Sequence, residues 1–253
     1  MIPYYEDEWV TLYHGDCLEV MPTLSNVDLV VTSPPYNLGV TTGGGFGRYK
    51  PGQNKGGQGK WGGAGKDGIT YTDHDDRMAP SEYSAWQTTC IQLAWDTLSE
   101  SGAIFYNHKP RVQASTLWTP LSLVPEGIPV RQVIVWRRSG GINFSPTHYL
   151  PTHEWILLLA KPSFRLKSKG ASGVGDVWEI AQETKNDHPA PFPLGIPARA
   201  IETTGPRLVL DPFAGSGTTL RAAKDAGIRA IGIEKSERYC EMTVKRLAQG
   251  VLL

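Results

Sequence analysis

Short runs of aliphatic and β-branched residues recur along the chain, separated by stretches in which apolar positions return every three or four residues. The runs 10–14 (VTLYH), 27–33 (VDLVVTS), 103–108 (AIFYNH), 130–138 (VRQVIVWRR) and 154–161 (EWILLLAK) predict strands, the last two antiparallel across SGGINFSPTHYLPT. GDCLEVMPTL is a helical or turning crossover between the first two. From Pro80 the positions Tyr83, Trp86, Cys90, Leu93, Ala94 and Leu98 predict a helix reaching Glu100 and stopped by Gly102, and a further helix precedes residue 130. Later come a helix over Pro193 to Thr204, the strand RLVLD, a helix over Gly217 to Ala226, the strand RAIGIE and a helix over Ser236 to Ala248. Strands alternating with helices imply an α/β domain with an open, mostly parallel sheet and helices on both faces. No internal repeat is present.

A chain of 253 residues suffices for one domain of this kind, 1–253. Twenty-five basic residues balance twenty-five acidic ones, so net charge argues neither for nor against a polyanionic partner. Cys17, Cys90 and Cys240 are far apart with no CxxC spacing, which excludes a disulfide framework and predicts a reducing, cytoplasmic setting. MIPYYEDEWV is acidic where a secretion signal needs a basic start, and no apolar run approaches bilayer length. One stretch departs from this regularity. Residues 41–68 hold twelve glycines and no apolar period, and Arg48, Lys50, Lys55, Lys60 and Lys66 against Asp67 give a local charge of plus four. Two readings stay open: a solvated insert, or a basic flap with Phe46, Tyr49 and Trp61 that closes on nucleic acid.

DPFAGSGTT (211–219) joins a predicted strand to a predicted helix, the place where nucleotide-like ligands dock in doubly wound sheets. Gly215 and Gly217 let a ligand approach the backbone there. A dinucleotide fingerprint wants a third glycine at 220, where this chain has Leu220. Glu234, at the next strand end, is placed to accept hydrogen bonds from ribose hydroxyls, or to cap the following helix.

With these residues in view, DPFAGSGTT followed by GIE resembles the S-adenosyl-L-methionine motif of amino-directed DNA methyltransferases, and VTSPPYN resembles their catalytic motif. HGDCLE, GAIFYNHKP, THEWILLLAKP and HPAPFP match as well, so the likeness covers nearly the whole chain, with the catalytic half first and the cofactor half last, the permuted β-type order. The resemblance implies a Rossmann-like methyltransferase fold. It places the cofactor's methionine end over Asp211, Phe213, Gly215 and Gly217, its ribose against Glu234 and its adenine near Asp16 and Cys17, with Phe192 beside the methionine moiety.

In such an enzyme the exocyclic amine, whose lone pair is delocalised into the base, must be made more tetrahedral. The Ser33 hydroxyl and the Pro34 carbonyl can accept its two N–H bonds, the prolines fix the backbone, and Tyr36 stacks on the extruded base. Ser33, Pro34, Pro35 and Tyr36 are therefore the catalytic candidates. Cytosine C5 chemistry needs a cysteine nucleophile, usually after proline, and no Pro-Cys pair exists. Thr-Ser-Pro-Pro-Tyr resembles the cytosine N4 enzymes; adenine N6 is the alternative, since β-type enzymes carrying an asparagine like Asn37 blur the distinction.

Asn37, Asn107, Lys109 and His153 are candidate substrate contacts, with polar strand ends and a structural His153–Glu154 pair as the plainer readings. Arg137 and Arg138 either hold phosphates or decorate a strand end. No histidine pair has metal-ligand spacing, so no metal is expected. The family usually inserts a target-recognition region between THEWILLLAKP and HPAPFP; here only 163–187 is available, carrying Arg165, Lys167 and Lys169, which is short for long, strict sequence specificity unless the glycine-rich segment, a partner chain or a homodimer supplies more contacts. An RNA or protein methyltransferase and a silent nucleic-acid-binding subunit are the competing readings.

Overall fold

The computed structural model describes residues 1–37, 78–113, 115–138, 146–182 and 193–249. Its main sheet is built from β1 (Tyr5–Glu6), β2 (Val10–His14), β3 (Val27–Thr32), β4 (Leu98–His108), β7 (Val130–Arg137), β8 (His153–Ala160), β9 (Val177–Glu179), β10 (Leu208–Asp211) and β11 (Arg229–Glu234). Their order is β1-β2-β11-β10-β3-β4-β8-β7-β9. From β2 to β4 every neighbouring pair is parallel, whereas β8 runs antiparallel to both β4 and β7. The expected α/β class and the antiparallel β7–β8 pair are both present.

Period-two alternation divides the core between the faces of the sheet. Leu29 and Val31 point to one side with Phe105, against Ile196 and Ala200 of α4 (Gly195–Thr204), Leu220 of α5 (Thr218–Asp225) and Cys240 of α6 (Glu237–Ala248). Val30 and Ile104 point to the other, against Cys17 of α1 (Cys17–Val20) and Cys90, Ile91 and Ala94 of α2 (Pro80–Thr97). Each fully buried aliphatic side chain contributes about 1.5–3 kcal/mol.

Two predicted elements are corrected, and a short strand appears in a third region. α2 ends at Thr97, whose hydroxyl donates to the Ala94 carbonyl, and β4 begins at once with Leu98. Gly102 is therefore no helix stop; it lies within β4, where a Cβ would come 2.9 Å from the Val27 carbonyl oxygen. In place of the helix expected before residue 130, Pro110 and Pro120 bracket a hairpin of β5 (Arg111–Gln113) and β6 (Thr116–Trp118), followed by a 3-10 turn at Pro120–Leu123. Within the short segment proposed for recognition, α3 (Lys169–Ser172) leads to β9, which pairs parallel with β7. Trp178 is buried there and stacks on Phe105 at 6.1 Å, so Val177–Glu179 is built into the sheet, while α3 before it is exposed. The glycine-rich stretch 41–68 and Phe192 lie outside the described residues.

Candidate active site

Parallel pairing brings the carboxyl ends of β2, β11, β10, β3 and β4 to one edge of the sheet, and the antiparallel β8 adds its amino end there, beside the carboxyl end of β7. The order along this edge is Asp16, Glu234, the turn 211–217, the turn 33–36, Asn107 with Lys109, Glu154 and Arg138. Nearly every candidate from the sequence falls on it.

At the cofactor half, Glu234 accepts the Gly215 N–H at 2.7 Å on Oε2 and the Ser236 N–H at 2.8 Å on Oε1. Each oxygen keeps a lone pair for a hydroxyl partner. Glu234 therefore both stabilises the turn and meets the needs of a ribose. Burial raises its carboxyl above the usual range. Asp16 caps α1 through the Leu18 N–H and pairs with Lys235 at 3.0 Å; these contacts outweigh burial and lower its carboxyl. Gly217 has φ +78°, and a Cβ on it would lie 2.6 Å from Thr243 of α6. Its glycine is thus required by backbone conformation and helix packing, a need separate from the ligand approach expected of it. Gly215, at φ +52°, presents its N–H to Glu234 and its carbonyl to Thr243. Cys17 is buried with its sulfur 3.9 Å from that of Cys90, and Phe213 meets Trp86 edge to face.

Asp211 joins the two halves. Its Oδ1 accepts the Thr32 hydroxyl at 2.7 Å and the Phe213 N–H at 3.1 Å, so the residue before Ser33 is tied to the cofactor turn. Burial pushes the Asp211 carboxyl up to about 6.

At the catalytic half, the Ser33 hydroxyl is 2.8 Å from the Tyr36 hydroxyl, which donates to Glu154 Oε2 at 3.0 Å. Asn107 Nδ2 reaches Tyr36 at 2.6 Å, Glu154 at 3.0 Å and Ser33 at 3.3 Å. Arg138 pairs with the other oxygen of Glu154 at 3.2 Å, both side chains being nearly buried. The turn backbone is held from outside: Tyr83 of α2 donates to the Pro35 carbonyl at 2.8 Å, and Arg111 Nη1 to the Tyr36 carbonyl at 2.7 Å. The Tyr83 hydroxyl also lies 2.7 Å from His108 Nε2, and the His108 ring packs against that of Tyr36 with centroids 4.5 Å apart and planes tilted by 33°. Burial, aided by Arg111, lowers His108 to about 3, so its imidazole is neutral. Lys109 is lowered too, by burial first and then by Arg138.

Not every candidate joins this cluster. Asn37 takes a left-handed backbone at φ +54° and donates to the Met78 carbonyl, which makes it a brace of the turn. His153 points to the opposite face of β8 from Glu154, so the His153–Glu154 pair does not form; the partners of Glu154 are Arg138, Tyr36 and Asn107. Sequence reasoning missed the role of Tyr83, and it paired Glu154 with His153 rather than with Arg138, Tyr36 and Asn107. The available signal was a carboxylate heading an otherwise apolar strand. Among the described residues no cluster of three or more His, Cys, Asp or Glu side chains could hold a metal, and no helix is long and apolar enough to cross a membrane.

A family model described as DNA methylase (N6_N4_Mtase) matches residues 27–245. The chain belongs to that family. S-adenosyl-L-methionine is the cofactor on which N6/N4 DNA methylases depend. The chain is 29% identical to the type II methyltransferase M.ScaI of Streptomyces caespitosus, over 97% of this chain and 83% of that protein. It is 27% identical to M.BglII of Bacillus subtilis, over 94% and 68%. In fold it is similar to the cytosine-N4-specific PvuII DNA methyltransferase, with a TM-score of 0.72 at 16% identity over 99% and 90% of the two chains. It is also similar to the M1.HpyAVI complex with S-adenosyl-L-methionine, with a TM-score of 0.61 at 19% identity over 94% and 99%. In this N6/N4 methylase the donor set at the strand ends fits that cofactor: the Glu234 carboxylate keeps a lone pair on each oxygen for a hydroxyl, and the aromatic Phe213 flanks the glycine turn.

Proposed function

We propose that this methylase transfers a methyl group from S-adenosyl-L-methionine to the exocyclic N4 of a cytosine extruded from DNA. The observation that supports the reading is the 2.7 Å bond from Thr32 to Asp211, which ties the strand end before Ser33 to the turn 211–217. Bound over Asp211–Gly217, the cofactor supplies an electrophilic sulfonium methyl. The remaining work belongs to the protein: Ser33 and the Pro34 carbonyl accept hydrogen bonds from the amine's two N–H groups, the nitrogen gives up one of those protons to solvent once it carries the methyl group, and the two prolines hold the accepting oxygens without a flexible search. Tyr36 offers its ring to the base. Rate then comes from orientation and electrostatic placement rather than from a covalent intermediate.

Ser33 in Thr-Ser-Pro-Pro-Tyr supports cytosine, as does the fold relationship to a cytosine-N4-specific enzyme. Lys109, beside the turn 33–36 and only partly buried, suits a contact with the DNA. The test is to incubate the full chain with labelled cofactor and DNA, digest the product and identify the nucleoside by mass spectrometry. N4-methylcytosine is expected. N6-methyladenine would overturn the base assignment, and label appearing in RNA or protein alone would overturn the acceptor.

A further inference from the structure

Stacking on a base needs only an aromatic ring, yet the Tyr36 hydroxyl is built into a buried polar cluster. The number of hydrogens available decides how that cluster is arranged. Glu154, with one oxygen on Arg138, is a carboxylate that accepts and cannot donate. Tyr36 has a single hydroxyl hydrogen, and it goes to Glu154 Oε2 at 3.0 Å. The 2.8 Å contact between Ser33 and Tyr36 then requires the serine to be the donor. Asn107 Nδ2 has two hydrogens for three acceptors; the shorter contacts, 2.6 Å to Tyr36 and 3.0 Å to Glu154, take them, and the 3.3 Å contact to Ser33 is left without one. Ser33 consequently spends its own proton inward.

We propose that Ser33, Tyr36 and Glu154 form a one-way hydrogen-bond chain, in which Glu154 is a positioning residue that turns the Ser33 lone pairs toward the substrate amine. The inference rests on the amino-methyltransferase reading and adds to it a role for the Tyr36 hydroxyl that ring stacking does not require. Direction matters because the same three side chains could run the other way. If the far end offered a donor, the Tyr36 proton would point at Ser33 and occupy the oxygen that must accept from the amine. Glutamine at 154 permits that reversal, since its amide can donate to Tyr36. Arg138 opposes it by holding the carboxylate in place, and Asn107 braces both downstream oxygens.

The experiment compares wild type with Tyr36→Phe, Glu154→Gln and the double variant in steady-state methyl transfer to DNA, with cofactor affinity and thermal melting as checks on folding. Tyr36→Phe keeps the ring, and its kcat is expected to fall about ten- to a hundredfold while KM for DNA and cofactor stays within about threefold. Glu154→Gln is expected to fall similarly, and the double variant no further than the worse single change, because both break one chain. A Tyr36→Phe enzyme within about twofold of wild-type kcat overturns the chain while leaving the function intact. So does a double variant whose loss is the product of the two. Should the buried Glu154→Gln misfold, Tyr36→Phe alone decides. If wild type labels no DNA while folded and binding cofactor, the functional reading falls, and this inference with it.

Discussion

Asp211 is bonded at once to the end of β3 and to the turn that follows β10, and its carboxyl is raised to about 6 because it is buried. It is ionised above that pH and neutral below. A cofactor carrying a sulfonium and an ammonium favours the ionised form, so cofactor affinity should fall, by about tenfold, as pH drops through about 6. Asp211→Asn retains an acceptor for Thr32 and Phe213, and calorimetric titration across pH 5 to 8 should find its affinity weaker and nearly flat. Gly217 makes a different demand. With φ +78° and Thr243 only 2.6 Å from a would-be Cβ, Gly217→Ala should cost about 1–3 kcal/mol of stability, measured by urea unfolding.

At the scale of elements, α2 does more than cover the sheet. Its Tyr83 holds the Pro35 carbonyl and abuts His108, so helix, turn and β4 meet at one hydroxyl. Tyr83→Phe should lose about 1 kcal/mol of stability and lower kcat several-fold, with cofactor affinity unchanged in a fluorescence titration. The long strands β3, β4, β7 and β8 were legible because contiguous apolar runs leave few alternatives. The elements that were missed are β1, the β5–β6 hairpin and β9, each of two or three residues whose pairing is decided by neighbours rather than by local pattern. Gly102 misled for a related reason: its missing side chain answers to Val27 across the sheet, a contact invisible in local spacing. In the candidate site, Ser33 and Tyr36 stood out through their prolines, whereas Glu154 could be understood only once Arg138 and Asn107 had been folded against it.

Across the whole molecule, chemistry is distributed by strand direction: most groups of the site sit on one edge because seven strands deliver either a carboxyl end or, for β8, an amino end to it, while α2 and the β5–β6 hairpin supply Tyr83 and Arg111. Nothing in that arrangement depends on which half is synthesised first. Lys224 of α5 reaches Asp7 at 2.6 Å and the Leu247 carbonyl at 3.2 Å, so the stretch before β2 and the last turn of α6 share one corner. Bridging these two points with a short glycine–serine tether, and cutting the polypeptide anew between β9 and α4, should leave an enzyme whose cofactor affinity by calorimetry is within about threefold of the parent. In such a rewired protein β10 and β11 would leave the ribosome ahead of β3 and β4, yet the same strands would have to find the same neighbours, so strand pairing rather than order of synthesis would fix the sheet.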